Sequence, residues 1–164
     1  MLHRRLIDGF EFAQAGSRLS GDWPVSEFPR LRGELHSERG ALHFELEGVP
    51  EEQGRPALRL RVTGVLDLAC QRCLELLEHP LRADALLLLY AGEREFAALP
   101  VDAEGPEPIL AAKEMAVRDL IEDEVLLAIP YAPRHEWCES RAGAEIAPRR
   151  KPFAGLRGLL DAKR

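Results

Sequence analysis

The 164-residue sequence predicts an α+β fold: a small antiparallel β-sheet or partly closed barrel with one main helix and short terminal helices. Three observations predict it. Apolar and polar residues alternate with a period of two in segments between 42 and 69. The four-residue stretch Cys70-Gln71-Arg72-Cys73 joins two such apolar segments, too short a link for anything but an antiparallel hairpin. Beyond them Val117, Leu120, Ile121, Val125 and Ala128 recur at helical spacing. Strands followed by a helix read as α+β. The expected organisation is one domain over 1–140 and a basic tail over 141–164.

Along the chain, Asp8 and Glu11 have the spacing of a capping box, which predicts a short helix over 8–15 ending near Gly16. Ser20-Gly21-Asp22-Trp23-Pro24 is turn chemistry, and Pro29 closes the short segment after it. After a turn at Arg39-Gly40, Leu42, Phe44 and Leu46 alternate with His43, Glu45 and Glu47. In the clearest strand Leu58, Leu60, Val62, Leu66 and Leu68 face one way, with Arg59, Arg61, Thr63 and Asp67 opposite. Gly64 in the apolar frame marks a bulge or a close backbone approach. The return strand runs over 74–90, and Pro80 within it requires an edge position or a bulge. Residues 92–112, rich in Gly, Pro and acids, read as a long acidic loop. The main helix must stop before Pro130. A short amphipathic segment over 153–160 ends the chain.

Composition limits the function. Apolar residues make up 46% and charged residues 30%, the mix of an ordinary globular protein. The net charge of −6 argues against a surface that grips nucleic acid by charge alone. No apolar run is long enough to span a bilayer, and the N-terminus lacks the pattern of a signal peptide. Three cysteines in such a chain read as reduced thiols or metal ligands. A soluble cytoplasmic protein is expected. Charge is also uneven: residues 93–139 carry a net −8 and residues 140–164 a net +5. A basic tail on an acidic body can dock on its own domain or reach for a phosphate-rich partner.

The chemistry-bearing residues are few. Cys70 and Cys73 at a hairpin tip are half of a zinc knuckle. His135 and Cys138, with the same spacing after the helix, supply the other half. Three sulfurs and one nitrogen form a closed set suited to structural zinc, although 61 residues separate Cys73 from His135. The pair could instead remain metal-free, or act as a thiol–disulfide couple, but thioredoxin-type cysteines sit at a helix N-terminus and these lie between strands. His36, His43 and His79 fall on strand patterns and are expected to face solvent. Of Glu122-Asp123-Glu124, two should face solvent, with Glu124 beside the buried stripe and paired with an arginine. No phosphate loop, nucleophile elbow or HExxH motif is present. No small-molecule substrate is expected.

In this order the segments 65–74 (VLDLACQRCL), 121–130 (IEDEVLLAIP), 135–138 (HEWC) and 152–156 (PFAGL) resemble the YceD family of large ribosomal RNA subunit accumulation proteins. The resemblance covers roughly residues 58–160. Many relatives carry a second cysteine pair where this chain has His135 and Cys138, and an asparagine where it has Lys151. The resemblance implies a non-enzymatic cytoplasmic factor supporting synthesis, processing or stability of 23S rRNA, with ribosomal or ribosome-assembly proteins as partners. An acidic body fits a basic protein partner better than RNA. The residues expected to meet partners are Glu122 and Asp123 in the acidic region and Arg149, Arg150, Lys151 and Phe153 in the tail. Any direct RNA contact would fall to that tail.

Overall fold

The computed structural model describes residues 5–100 and 105–138. After β1 (Leu6–Ile7), Asp8 starts helix α1 (Gly9–Gln14): its Oδ1 accepts from the backbone N–H groups of Phe10 and Glu11. The predicted short helix is therefore present, and it ends just before Gly16, whose φ of +58° turns the chain into β2. Strand β2 (Arg18–Pro24) leads through two single 3₁₀ turns, Val25–Glu27 and Leu31–Gly33, into β3 (Leu35–Ser37). Three long strands come next: β4 (Ala41–Glu52), β5 (Arg55–Ala69) and β6 (Leu76–Tyr90). Helix α2 (Glu93–Ala97), β7 (Glu107–Leu110), β8 (Met115–Ala116) and helix α3 (Val117–Ala128) complete the described chain.

The main sheet has the order β2-β4-β5-β6-β7, with β3 also paired to β5, while β1 and β8 form a separate two-stranded pair. All these pairings are antiparallel except β6 with β7. Among the described residues the sheet is open, with β2 and β7 at its two ends, so the fold is α+β and this sheet does not close into a barrel.

One face of the sheet carries the core. Leu42, Phe44 and Leu46 of β4 and Leu58, Leu60, Val62, Leu66 and Leu68 of β5 are all buried there. Trp23, Phe28, Leu31 and Val117, Ile121 and Val125 of α3 close over them. The opposite face is charged, with Arg59 held by Asp84 and Arg18 by Glu47 across neighbouring strands. At one end this outer face is apolar too: Ala57, Leu88 and Tyr90 are covered by Phe96 of α2 and by Leu99. Both faces of residues 86–90 are thus covered, which accounts for that continuous apolar run.

Two glycines are required by close approach. A Cβ on Gly64 would lie 2.6 Å from Leu42 Cδ2, and one on Gly48 only 2.2 Å from the Phe12 carbonyl oxygen. Pro80 sits on β6 opposite Val65, outside the stretch Leu87–Tyr90 that pairs with β7. It therefore occupies the expected edge position.

Two expectations are corrected. Residues 20–24 are strand rather than turn, because pairing with β4 and burial of Trp23, whose Nε1–H donates to Glu27 at 2.7 Å, outweigh the turn preference of Gly21 and Asp22. Pro24 stands at the strand's end, where a missing donor does little harm. Residues 92–112 are not one loop: they hold α2 and β7, the latter an edge strand that tolerates Pro108. The tail over 141–164 lies outside the described residues.

Candidate functional site

The first half of the site is the tip of the β5–β6 hairpin. The Leu74 N–H donates to the Cys70 carbonyl at 2.8 Å and the Cys70 N–H to the Glu75 carbonyl at 2.9 Å. Leu74 adopts φ +64°, the left-handed conformation that lets so tight a turn rejoin β6. The second half arrives after α3. Ile129 precedes Pro130 and leaves helical geometry, as the proline demands. The chain then returns to the hairpin, where the Gln71 N–H donates to the Pro133 carbonyl at 2.8 Å and Arg72 Nη1 donates to the Cys138 carbonyl at 3.1 Å. The 61-residue gap is closed by the fold itself.

The four predicted ligands meet. Cys70, Cys73, His135 and Cys138 each present one donor atom, all within 4.8 Å of one another. Cys70 Sγ and Cys138 Sγ are 3.7 Å apart, and Cys73 Sγ is 3.4 Å from His135 Nδ1. A tetrahedron built on ordinary zinc–sulfur and zinc–nitrogen bond lengths has edges of about 3.8 Å between sulfurs and about 3.5 Å between sulfur and nitrogen. The two short separations, Cys70–Cys138 and Cys73–His135, have those dimensions, and the remaining ones stay within 4.8 Å. All three cysteines are free thiols. His135 Nε2 lies 3.0 Å from the Leu76 carbonyl, which can only accept. The ring proton is therefore on Nε2, leaving the Nδ1 lone pair aimed at the cysteines.

The local field prepares the site for a cation. Burial pushes the Cys70 thiol up, but backbone N–H groups of Cys73, His135 and Arg72 outweigh it and bring it down to about 5. Burial and the neighbouring Cys70 and Cys73 push Cys138 up to about 11. Metal binding at such a set, one thiol eased toward its thiolate and Cys138 resisting, expels protons. Four protein ligands complete a tetrahedron, as in structural zinc sites. A thiol–disulfide couple would use Cys70 and Cys73 alone, yet Cys70 is buried and also faces a third cysteine.

The acidic helix residues divide differently from expectation. Glu122, expected to face solvent and meet a partner, is buried. Its Oε1 accepts from the Arg30 backbone N–H at 2.6 Å and its Oε2 from Arg30 Nε at 2.9 Å. Arg30 lies between the two 3₁₀ turns, and its Nη2 also donates to the Asp119 carbonyl of α3 at 3.3 Å. The arginine-paired glutamate is thus Glu122, not Glu124, which has no hydrogen bond or ion pair among the described residues. Asp123 is exposed and accepts from Arg30 Nη1. His36 and His43 face solvent as expected, while His79 is half-buried. Arg149, Arg150, Lys151 and Phe153 lie outside the described residues. Sequence reasoning missed Arg30 and the Leu76 carbonyl; neither belongs to a motif, and Arg30 is 92 residues from Glu122.

No curated protein and no solved structure gives a significant match to the chain. A family model does: that described as large ribosomal RNA subunit accumulation protein YceD matches residues 58–160. The matched span includes β5, the cysteine hairpin, β6, α3 and His135 to Cys138, so the residues of the metal-ligand cluster all fall within it. With well over half of its length matched, the chain belongs to the YceD family.

Proposed function

We propose that the protein is a non-enzymatic ribosome-biogenesis factor that supports 23S rRNA synthesis, processing or accumulation by contacting proteins. The family match over residues 58–160 carries this reading. The partners are ribosomal or ribosome-assembly proteins with basic surfaces, a chemistry suited to the net −8 of residues 93–139. Asp123 is a contact on the acidic side, and Arg149, Arg150, Lys151 and Phe153 are contacts in the tail. Glu122 serves the fold by holding Arg30.

In this reading Cys70, Cys73, His135 and Cys138 hold a structural zinc ion. When bound, the ion cross-links the hairpin tip to the segment after α3 and keeps the partner-facing elements in one orientation. The donor set and its distances support that role. The protein acts where ribosomes are made, in the cytoplasm, and no helix among the described residues is long and apolar enough to cross a membrane.

Deleting the gene and profiling ribosomal particles tests the proposal. Large-subunit particles and 23S rRNA should fall relative to 16S rRNA, most visibly in the cold, and return with the wild-type gene. Unchanged 23S rRNA and 50S levels would remove the basis for the reading.

A further inference from the structure

A groove of about 360 Å³ runs between α3 and β7. Ile109, Leu120 and Leu127 contribute its apolar lining, and Glu107, Asp123 and Glu124 stand among them. Leu127 is 68% exposed, an unusual position for leucine beside other apolar groups. Glu124 is 9% exposed, faces this groove, and has no hydrogen bond or ion pair among the described residues. Burial first, and then the neighbouring Glu107 and Asp123, hold its carboxyl above the usual range. A buried carboxyl without a cation, beside Glu107, the Arg30-paired Asp123 and uncovered leucine, calls for a ligand that is both basic and apolar.

The chain contains such a segment. Residues 149–160 read Arg-Arg-Lys-Pro-Phe-Ala-Gly-Leu-Arg-Gly-Leu-Leu, with Phe153, Leu156 and Leu160 at spacings of three and four. Its four cations are unopposed by any acid within the segment. Reach is sufficient: the stretch from Cys138 to Phe153 can extend roughly 50 Å, while α3 is only about 18 Å long. The chain leaving α3 also returns directly to the hairpin tip from which the tail departs.

We propose that the groove between α3 and β7 is the docking site of the chain's own segment 149–160. The cations of the segment meet Glu107, Asp123 and Glu124, and its apolar side chains cover Leu120 and Leu127. The contact does not depend on the ribosomal reading. It adds a consequence to that reading: a basic partner taking the same groove would displace the tail and free its cations.

The test uses the full-length protein with a benzophenone photo-crosslinker in place of Phe153. After irradiation at low micromolar concentration, mass spectrometry should place most cross-links within one chain, on residues 107–110 and 120–127. The same protein carrying Glu124→Lys should lose that yield at least fivefold while keeping its circular dichroism and thermal transition. Raising NaCl from 50 to 500 mM should also lower the yield. Cross-links mainly between chains would overturn the proposal in favour of a second copy. Cross-links elsewhere, or a yield indifferent to Glu124→Lys, would overturn it outright. Neither result depends on ribosomal particle levels, so failure here is distinguishable from failure of the ribosomal role.

Discussion

The Sγ atoms of Cys70 and Cys138 stand 3.7 Å apart although they lie 68 positions apart in the chain. Between them lie β6, α2, β7, β8 and α3, so this short distance reflects the return of half the fold upon itself. The backbone bond from Gln71 to Pro133 and the Arg72 guanidinium's bond to the Cys138 carbonyl bring the two segments together in protein terms alone. A metal would therefore find a largely formed site, and its binding would lock a contact the fold already favours.

Purified protein should carry one zinc ion per chain, and a chelator should lower its melting temperature. Cys70→Ser, Cys138→Ser and His135→Ala should each cost several kcal/mol, of the order of what structural zinc contributes. Their effects should be strongly non-additive, because each breaks the same site. Metal analysis on protein without a histidine tag, together with urea unfolding of single and double variants, checks this. Zinc far below stoichiometric, with no thermal response to chelator, would contradict it.

Arg30→Ala should cost on the order of 3 kcal/mol, the range found when a buried carboxylate loses its cation. Glu122 would keep the Arg30 backbone N–H but lose the guanidinium. The double variant Arg30→Ala/Glu122→Leu should recover part of the loss, since no buried charge then remains. Denaturant unfolding of the cycle measures the coupling; additive losses would show that the pair does not act as a unit.

Much of this architecture was legible locally. The alternation of Leu58, Leu60 and Val62 fixed the face of β5, the shortness of Cys70–Cys73 fixed the hairpin, and Gly64 announced its close neighbour. The four candidate ligands came from two matched spacings. What escaped depended on distant partners. Trp23 turns 20–24 into strand only because β4 lies alongside, and Glu122 is buried only because Arg30 arrives from 92 residues away. The turn at Gln53-Gly54, with φ of +51° and +79°, was also missed, though a glycine at the second position of a two-residue hairpin is a local signal. Strand β7 was hidden by the prolines that an edge strand permits.

Gly48→Ala should destabilise by about 3 kcal/mol, as overpacking against fixed atoms does. Its Cβ would lie 2.2 Å from the Phe12 carbonyl oxygen and 2.9 Å from Ala13 Cα, both backbone atoms of α1 that cannot rotate aside. Gly33→Ala is the control: nothing lies within 4 Å of that Cβ, and the change should stay within about 0.5 kcal/mol. Comparing urea midpoints checks the prediction, and equal stability of the two variants would refute it.

Stability should also report the Ser37–Asp67–Arg39 cluster through pH. Ser37 Oγ donates to Asp67 Oδ2 at 2.5 Å, and Arg39 donates to the same oxygen through Nε at 3.0 Å and Nη2 at 2.8 Å. These bonds, Ser37's first, hold the Asp67 carboxyl below its ordinary 3.8. A depressed carboxyl stabilises the folded state above the unfolded-state value and loses that contribution as pH falls through the folded one. Asp67→Asn should therefore be less stable than wild type at pH 7 and at pH 5. The gap should close as pH drops from just above 3.8 to well below it. Because the Arg39 side chain is 72% exposed, salt should weaken its share, whereas the Ser37 hydroxyl, a neutral donor, should keep its own. At 0.5 M NaCl, Ser37→Ala should thus raise the Asp67 carboxyl more than Arg39→Ala does, as read from carboxyl-carbon NMR titrations. A stability gap unchanged between pH 7 and pH 2 would show that Asp67 does not draw its stabilisation from its charge.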